Sequence, residues 1–410
     1  QAMIILSVVI LLAIFAAAVW LPVNMGLIGL AAALGLGVFV AGLPVKDVLA
    51  GFPADLFLTL LGITYLFGIA SRNGAIDWLV ARTAHALGRH TALLPALVFM
   101  VAGVLTALGA VGPAAVAIVA PIGLRFARIH GFSALMMGLL VVHGAQAGSF
   151  SPISIYGGIT NKVLASSGIA PDPMFLFLAS AAFNAAIALL IWAFFARRTA
   201  AALAEAHDIP LPMALTRDQA WTLAGLAALA TGALLFKVDI GFMALIVILG
   251  LAVVAPRTQD GALKYVDWST ILLISGIVIY VSLLDRLGTL DAVSAMIGTV
   301  GSAALAVLLL CYLAGVVSAF ASSTALLGVI IPLAVPVLAG SALSPIAVVS
   351  AIAIANTIVD TSPFSTNGAL IVANSPEDER PAMLHKLLVY AAIIVGLGPL
   401  AAWAVFVPFF

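Results

Sequence analysis

Two short segments of this chain place hydroxyl groups around a proline inside long apolar runs. Residues 151–154 read Ser-Pro-Ile-Ser and residues 362–365 read Ser-Pro-Phe-Ser. A proline lacks the backbone donor that a continuing helix needs, so we predict helix breaks at 148–152 and 359–363. The half-helix that restarts after a break presents unpaired N–H groups and the positive end of its dipole, which suit an anion. The carbonyl groups on the other side of a break suit a hard cation such as Na⁺.

The side chains beside the breaks are rich in hydroxyls and amides, which donate to a carboxylate or accept from a cation. Small polar residues also pack between membrane helices without binding a ligand, and that alternative suffices for isolated examples such as Ser180 and Ser350. Beside the breaks we favour ligand contact. The candidates are Ser149, Ser151, Ser154 and Tyr156 in the first half, and Ser318, Ser322, Ser323, Thr324, Thr361, Ser362, Ser365, Thr366 and Asn367 in the second.

Asp360 is the acidic residue that lies deep in a predicted span. A buried charge in lipid is costly and is a functional hypothesis by default, so Asp360 either binds a coupling cation or carries a proton. The alternative is an Asp that caps the broken backbone. His143 and Gln146 precede the first break, and we interpret them as helix–helix hydrogen-bonding groups. Lys162 is predicted to extend to the outer interface.

The composition requires lipid as the solvent for most of the chain. Of 410 residues, 64% are hydrophobic and 8% are charged, with a mean hydropathy of +1.28. A soluble chain is about 45–50% apolar and about 25% charged. Lys plus Arg and Asp plus Glu are equal at 16 each, which argues against nucleic acid as a partner. The single Cys311 excludes a disulfide framework, and no residue spacing indicates a zinc, haem or nucleotide cofactor.

Apolar runs predict an all-α integral membrane protein with about 10 transmembrane helices plus two re-entrant hairpins. The hairpins are predicted at 92–128 and 302–340, with tips near 109–113 and 320–324, because small polar residues interrupt these regions. We expect the following runs to span the membrane: 3–20, 24–43, 54–71, 132–168, 172–196, 217–236, 238–255, 268–285, 343–374 and 384–409. Two of these, 132–168 and 343–374, contain the predicted helix breaks.

A repeat divides the chain into two halves. Residues 72–77 match 286–291, and the proline segments at the two breaks match at a similar offset in the same order. We therefore predict inverted repeats over 1–198 and 217–410, joined by a cytoplasmic linker over 199–216. Each repeat holds an odd number of spans, which is why the second is inverted relative to the first.

The positive charges fit this topology. With the linker inside, most of the 16 Lys and Arg residues lie on the cytoplasmic side, whereas Lys46, Lys237 and Arg286 lie outside. We expect a multi-pass protein of the cell inner membrane, with both termini outside. The first hairpin then enters from the cytoplasm and the second from the outer face.

At the hairpin tips the chain resembles the ion transporter superfamily, which includes the divalent anion/sodium symporters. Those proteins carry Ser-Asn-Thr at each tip and a proline ten residues after the Ser. Here residues 322–324 read Ser-Ser-Thr, with Pro332 following, whereas residues 111–113 read Val-Gly-Pro, with Pro121 following. Residues 148–158 and 360–368 are most similar to the malonate/dicarboxylate carrier branch.

The resemblance implies an elevator-type homodimer that carries a small dicarboxylate such as malonate by Na⁺-coupled symport. Cations would lie between each tip and the facing break. The residues implied there are Val111, Gly112, Gly148 and Ser149 in the first half, and Ser322, Asp360 and Thr361 in the second. Substrate carboxylates would lie near Gly112, Ser151, Ser323, Thr324, Ser362 and Thr366. The first tip lacks the family's hydroxyl and amide, which leaves the number of cations open.

Two other functions remain open from the residues. Asp360 and His143 could exchange protons in a cation/proton antiporter or a metalloid efflux protein on the same scaffold. An integral membrane enzyme would need an acid–base pair, and these two residues, the only candidates, belong to different repeats. The hydroxyl clusters favour an organic anion, and a dianion crossing a low-dielectric core needs its charge neutralised.

Overall fold

The computed structural model describes residues 2–21, 23–86, 91–199, 214–236, 238–289, 292, 301–319, 323–339 and 341–408. Helices account for nearly all the regular structure of these residues, and no strand is present among them. The predicted all-α fold is therefore confirmed for the described part of the chain. Ser322 and most of the predicted linker lie outside the described residues.

The described residues of the first half form ten α-helices. Their bounds are α1 Ala2–Trp20, α2 Met25–Leu34, α3 Val45–Leu49, α4 Ala54–Arg72, α5 Ala75–Ala86, α6 Leu94–Ala107, α7 Gly112–His130, α8 Ala134–Gly148, α9 Ile155–Ser166 and α10 Pro173–Thr199. A π-helical segment, Gly35–Val40, extends α2. Helices α6 and α7 are joined by a short turn, and α8 and α9 are separated by residues 149–154.

The second half follows the same order. Its helices are α11 Arg217–Leu234, α12 Ile240–Val254, α13 Trp268–Arg286, α14 Ala303–Ser318, α15 Ser323–Ala339, α16 Pro345–Thr357, α17 Thr366–Asn374 and α18 Arg380–Phe406. A 3₁₀ turn, Ile358–Thr361, follows α16 directly. Helices α14 and α15 thus correspond to α6 and α7, and the pair α16 and α17 corresponds to α8 and α9.

Six described helical segments are long and apolar enough to cross a membrane, judged by length and composition. They are Ala54–Arg72, Gly112–His130, Pro173–Phe195, Trp268–Arg286, Pro345–Asn374 and Arg380–Phe406. Large apolar side chains on α10 and α12 point away from the protein, with Phe194 80% and Val253 82% exposed. Lipid is the solvent that makes such exposure favourable. The number of crossings stays a prediction.

Close backbone approaches organise the helices into two groups. A Cβ at Gly276 of α13 would lie 1.8 Å from the carbonyl oxygen of Gly26 in α2, and a Cβ at Gly241 would lie 2.9 Å from the backbone nitrogen of Thr59 in α4. Helix α2 therefore packs tightly on α13, and α4 on α12, while α4 also contacts α13. We call these four helices the scaffold group. Small residues permit such approaches between membrane helices.

The second group is built the same way around α8. A Cβ at Gly148 would lie 2.0 Å from the carbonyl oxygen of Gly103 in α6, and one at Gly144 would lie 2.2 Å from that of Phe99. Helices α7 and α10 also pack on α8, and α17 packs on α7. We call the helices that carry the breaks and the tips, together with their close neighbours, the site group: α6–α10 and α14–α18.

Candidate functional site

The first break is organised by hydroxyls that donate to its own backbone. Ser154 caps α9 by accepting from the backbone nitrogen of Gly157 at 3.2 Å, and its hydroxyl lies against the carbonyls of Ser151, at 2.7 Å, and Ser149. Ser149 donates to the carbonyl of Ala145 at 2.6 Å. These bonds satisfy carbonyls that the end of α8 leaves without helical partners.

The second break has the same kind of hydrogen bonds between its hydroxyls and its own backbone. Ser365 caps α17 by accepting from the backbone nitrogen of Gly368 at 3.3 Å. Its hydroxyl lies 2.8 Å from the carbonyl of Ser362 and 2.5 Å from that of Asp360. Ser362 accepts from the backbone nitrogen of Phe364 at 3.3 Å. Both breaks are thus rigid hydrogen-bonded turns, each followed by a helix whose first N–H groups have no helical partner.

The N-terminal ends of four half-helices line one cavity of about 490 Å³. These ends belong to α7, α9, α15 and α17, which are the four elements that restart after a tip or a break. Their lining residues are Val111, Pro113, Tyr156, Ser323, Thr324, Ser365, Thr366 and Asn367. The cavity therefore collects four positive dipole ends at one place, an arrangement that suits a negatively charged ligand.

The two halves of the chain touch each other beside this cavity. A Cβ at Gly112 of α7 would lie 3.5 Å from the side-chain nitrogen of Asn367 in α17, an ordinary contact. Asn367 is buried, and its Oδ1 has no hydrogen-bond partner in the structure. The amide of the second repeat thus stands beside the first tip, where the sequence Val-Gly-Pro supplies no side-chain donor.

Asp360 ends a chain of buried hydroxyls. Ser323 donates to its carboxylate, and the hydroxyl of Ser318 lies 2.5 Å from that of Ser323. Because the single hydroxyl proton of Ser323 goes to Asp360, Ser318 must donate to Ser323. Asn356 donates from Nδ2 to the carbonyl of Ser323 at 2.9 Å, which ties the break to the start of α15.

Two buried side-chain oxygens beside these hydroxyls have no hydrogen-bond partner in the described part of the structure. They are Oδ1 of Asn356 and Oγ1 of Thr361, each on a fully buried residue. A buried acceptor without a partner costs free energy unless something binds it. Carboxylate, amide and hydroxyl oxygens are the ligands that hard cations prefer, so Asp360, Asn356 and Thr361 are the candidates for a cation site at the second break.

The first tip has fewer groups to offer a cation. The hydroxyl of Ser151 donates to the carbonyl of Ala107 at 2.7 Å, and that of Ser149 is used within the break. The carbonyl of Val111 already accepts from the nitrogens of Ala114 and Ala115. The predicted first-half cation ligands therefore lie near one another but are largely occupied by bonds within the protein.

The scaffold group closes the cavity on its other side. Asn24, Asp267, Ser269 and Thr270 line it there, where α2 and α13 begin. Asp267 caps α13, accepting from the nitrogen of Thr270 at 3.0 Å and from its hydroxyl at 2.6 Å. Among the lining residues described, two are carboxylates, Asp267 and Asp360, and none is Lys or Arg.

His143 belongs to a separate polar cluster. Its Nδ1 is 2.9 Å from Oδ1 of Asn184 in α10, and its Nε2 is 2.6 Å from the hydroxyl of Tyr390 in α18. The neighbouring Gln146 is buried, and its side-chain amide has no partner in the structure. Since Asp360 is bonded to Ser323 instead, the hydrogen bonds give no acid–base pair between His143 and Asp360.

The predicted substrate residues divide into two sets. Tyr156, Ser323, Thr324, Ser365, Thr366 and Asn367 line the cavity, whereas Gly112, Ser151, Ser154 and Ser362 are buried beside it and are not part of its lining. Sequence reasoning missed Asn356, Asn24 and Asp267. No local pattern marks these three as site residues, because packing between distant segments places them beside the site.

Comparison with known proteins indicates a transporter. Residues 2–149 match a family model described as the N-terminus of the dicarboxylate carrier protein MatC. The fold is similar to that of the YdaH transporter of Alcanivorax borkumensis, whose crystal structure was described as having an unusual topology. That similarity has a TM-score of 0.63 over 98% of both chains at 16% identity, so it concerns the fold alone. No curated protein sequence matches the chain.

The apolar helices and the transporter fold together define a multi-pass membrane protein. Residues 2–149 are thus similar to the N-terminal part of a dicarboxylate carrier.

Proposed function

We propose that this protein is a secondary active transporter of the inner membrane that carries a small dicarboxylate, such as malonate, together with Na⁺. The observation that carries this proposal is the convergence of four half-helix N-termini on one cavity. Such ends bind anionic groups through backbone N–H groups and dipoles, without a buried basic side chain.

The two carboxylates of the substrate would bind at different helix ends. Helices α15 and α17 begin at these ends, so their first backbone N–H groups and the side chains of Thr324, Thr366 and Asn367 can donate to the carboxylates. Tyr156 of α9 lies on the same cavity wall. A short dicarboxylate would be held between these groups, which accounts for a preference for small substrates.

The coupling cation would bind at the second break. We assign it to Asp360, Asn356 and Thr361, because these residues combine one carboxylate with two buried oxygens that lack partners. Ser322, expected as a further ligand, lies outside the described residues. For the first half we retain Val111, Gly112, Gly148 and Ser149 as weaker candidates, since the hydroxyl of Ser149 is already used.

The charge of the cavity explains why transport would require a cation. Asp267 and Asp360 face the space that a dianion would occupy, and no described lining residue is basic. A dianion is repelled there unless a cation binds first or at the same time. In this proposal the site group of a homodimer slides past the scaffold group in an elevator-type movement, which exposes the cavity alternately to the two sides.

Uptake into proteoliposomes tests this function. Radiolabelled malonate is supplied with an inward Na⁺ gradient, and choline replaces Na⁺ in the control at the same pH. We expect uptake that requires Na⁺ and that succinate reduces by competition. Absence of malonate uptake when the inward Na⁺ gradient is present would contradict the proposal.

A second function is favoured by the same two carboxylates. Asp360 and Asp267 in a cavity without basic lining could exchange a cation for protons and carry no organic anion, as in a cation/proton antiporter. Efflux of a metalloid anion on the same scaffold remains a variant of this alternative. Proton flux into the same liposomes, driven by Na⁺ and unaffected by malonate, would identify the antiporter.

A further inference from the structure

Lys162 connects the two helix groups at the end of α9 that is distant from the cavity. Its ammonium donates to the carbonyl of Asp55 at 3.0 Å and to the hydroxyl of Thr59 at 2.9 Å. The same ammonium lies 3.4 Å from the carboxylate of Asp55 and 3.5 Å from that of Asp239. The side chain of Lys162 is 21% exposed, so it is partly shielded from solvent.

The partners of Lys162 belong to one tightly packed unit. Asp55 and Thr59 are on α4, and Asp239 caps α12, which packs closely on α4 through Gly241. Lys162 itself is on α9, which starts at the first break and carries Tyr156 into the cavity. Every ion pair of this ammonium therefore joins the site group to the scaffold group.

The glycines along this boundary make no close backbone approach to the other group. A Cβ at Gly158 of α9 would lie 3.6 Å from Thr59, and one at Gly328 of α15 would lie 3.7 Å from Val278 of α13, both ordinary contacts. Gly109 makes a closer approach, but to the flexible side chain of Ile63. The backbone approaches near 2 Å occur within each group, so side-chain contacts, both apolar and polar, hold the boundary.

A second cavity lies at the same boundary, beside Lys162. Its volume is about 580 Å³, and Asp55, Lys162, Ser282, Asp285 and Pro332 are among its lining residues. In the predicted topology, Asp55 and Asp239 adjoin loops on the outer side of the membrane. Asp267, which lines the site cavity, adjoins a loop on the cytoplasmic side. The two cavities therefore lie toward opposite membrane faces along one boundary, which suits a surface along which the groups slide.

We propose that Lys162, with Asp55 and Asp239, is an ion-pair latch that holds the site group in the conformation with the cavity open at Asp267. Movement of the site group carries Lys162 away from both carboxylates, so the latch has to open in each cycle. This inference rests on the proposed function, because it requires the site group to move relative to the scaffold group. Partly exposed pairs contribute little individually, so we expect the latch to shift a conformational equilibrium and not to decide folding.

Distance measurement between spin labels tests the latch. One label is placed at Leu189 on α10 and one at Leu249 on α12, both well exposed, after Cys311 is replaced by Ala. Double electron–electron resonance in lipid nanodiscs then gives the distance distribution without any substrate. We expect Lys162→Met to raise the population of a second distance by about two- to five-fold relative to the unsubstituted protein.

Two further variants complete the test. Asp55→Asn removes one partner at an exposed position and should give a smaller shift in the same direction. Arg380→Met is the matched control, because Arg380 pairs with Glu377 at 3.9 Å within its own group, and it should leave the distances unchanged. Distributions unaltered in both latch variants, or shifted equally by the control, would overturn the latch. Since no dicarboxylate is present, failure of malonate transport would leave this result intact.

Discussion

Ser154 and Ser365 make the same hydrogen bonds at equivalent positions of the two breaks. Each accepts from the backbone nitrogen three residues later, and the hydroxyl of each lies against the carbonyls three and five residues earlier. The two breaks therefore share a hydrogen-bond pattern as well as a similar sequence, as the predicted repeat requires. These two side chains were predicted as ligand contacts, but their hydroxyl protons are used within the breaks.

We predict that Ser154→Ala and Ser365→Ala each lower stability by about 1–2 kcal/mol, because each loses a helix cap and leaves break carbonyls without a donor. Thermal unfolding of the purified protein measures this. Ser166→Ala is the control, since its hydroxyl bonds the carbonyl of Val163 at the end of α9. Equal stability of the two break variants and the control would refute this structural role.

Thr324→Val and Thr366→Val should weaken malonate binding by about 3–10-fold each, as expected for loss of one hydrogen bond of about 1 kcal/mol. Valine keeps the shape of threonine, so folding should be unaffected. Thr357→Val, which removes a buried hydroxyl bonded to the carbonyl of Ala353, is the matched control. Unchanged affinity in both cavity variants would place the substrate elsewhere.

Asp360→Asn should change the dependence of transport on Na⁺ more than the order of preferred substrates. The substitution removes the charged member of the candidate cation site but keeps an acceptor for the Ser323 hydroxyl. Uptake is measured over a series of Na⁺ concentrations, and the concentration for half-maximal rate should rise by about ten-fold or more. A variant with the Na⁺ dependence of the unsubstituted protein would rule out this role.

Gly148→Ala should prevent normal folding, because its Cβ would collide with the carbonyl of Gly103 in α6 at 2.0 Å. The end of α8, where the first break begins, would then lose its close contact with α6. Gly158→Ala provides the comparison, since its Cβ would make an ordinary contact with Thr59. Size-exclusion chromatography after solubilisation reports the outcome, and a monodisperse Gly148→Ala protein would contradict the packing described.

Much of the architecture could be predicted because it depends on local signals. The prolines at 152 and 363 interrupt helices, and the apolar runs set which segments become helical. Thr324 and Thr366 could be predicted as cavity residues from local signals too, because each lies where a half-helix starts.

The remaining parts of the site depend on contacts between distant segments. Asn356 lies inside α16, and its role follows from its bond to Ser323, 33 residues earlier. Lys162 was predicted to extend to the outer interface, but its three partners on α4 and α12 could not be read from the sequence. Pairing of helices across repeats sets these contacts, and a single sequence contains no direct signal for it.

The coupling of substrate to cation is the central claim, and equilibrium binding tests it most directly. Malonate is titrated into the purified protein by calorimetry at several Na⁺ concentrations, with choline keeping the ionic strength constant. Because coupling is reciprocal, Na⁺ should strengthen malonate binding and malonate should strengthen Na⁺ binding by the same factor. Malonate affinity that is independent of Na⁺, or absence of malonate binding at any Na⁺ concentration, would contradict the account.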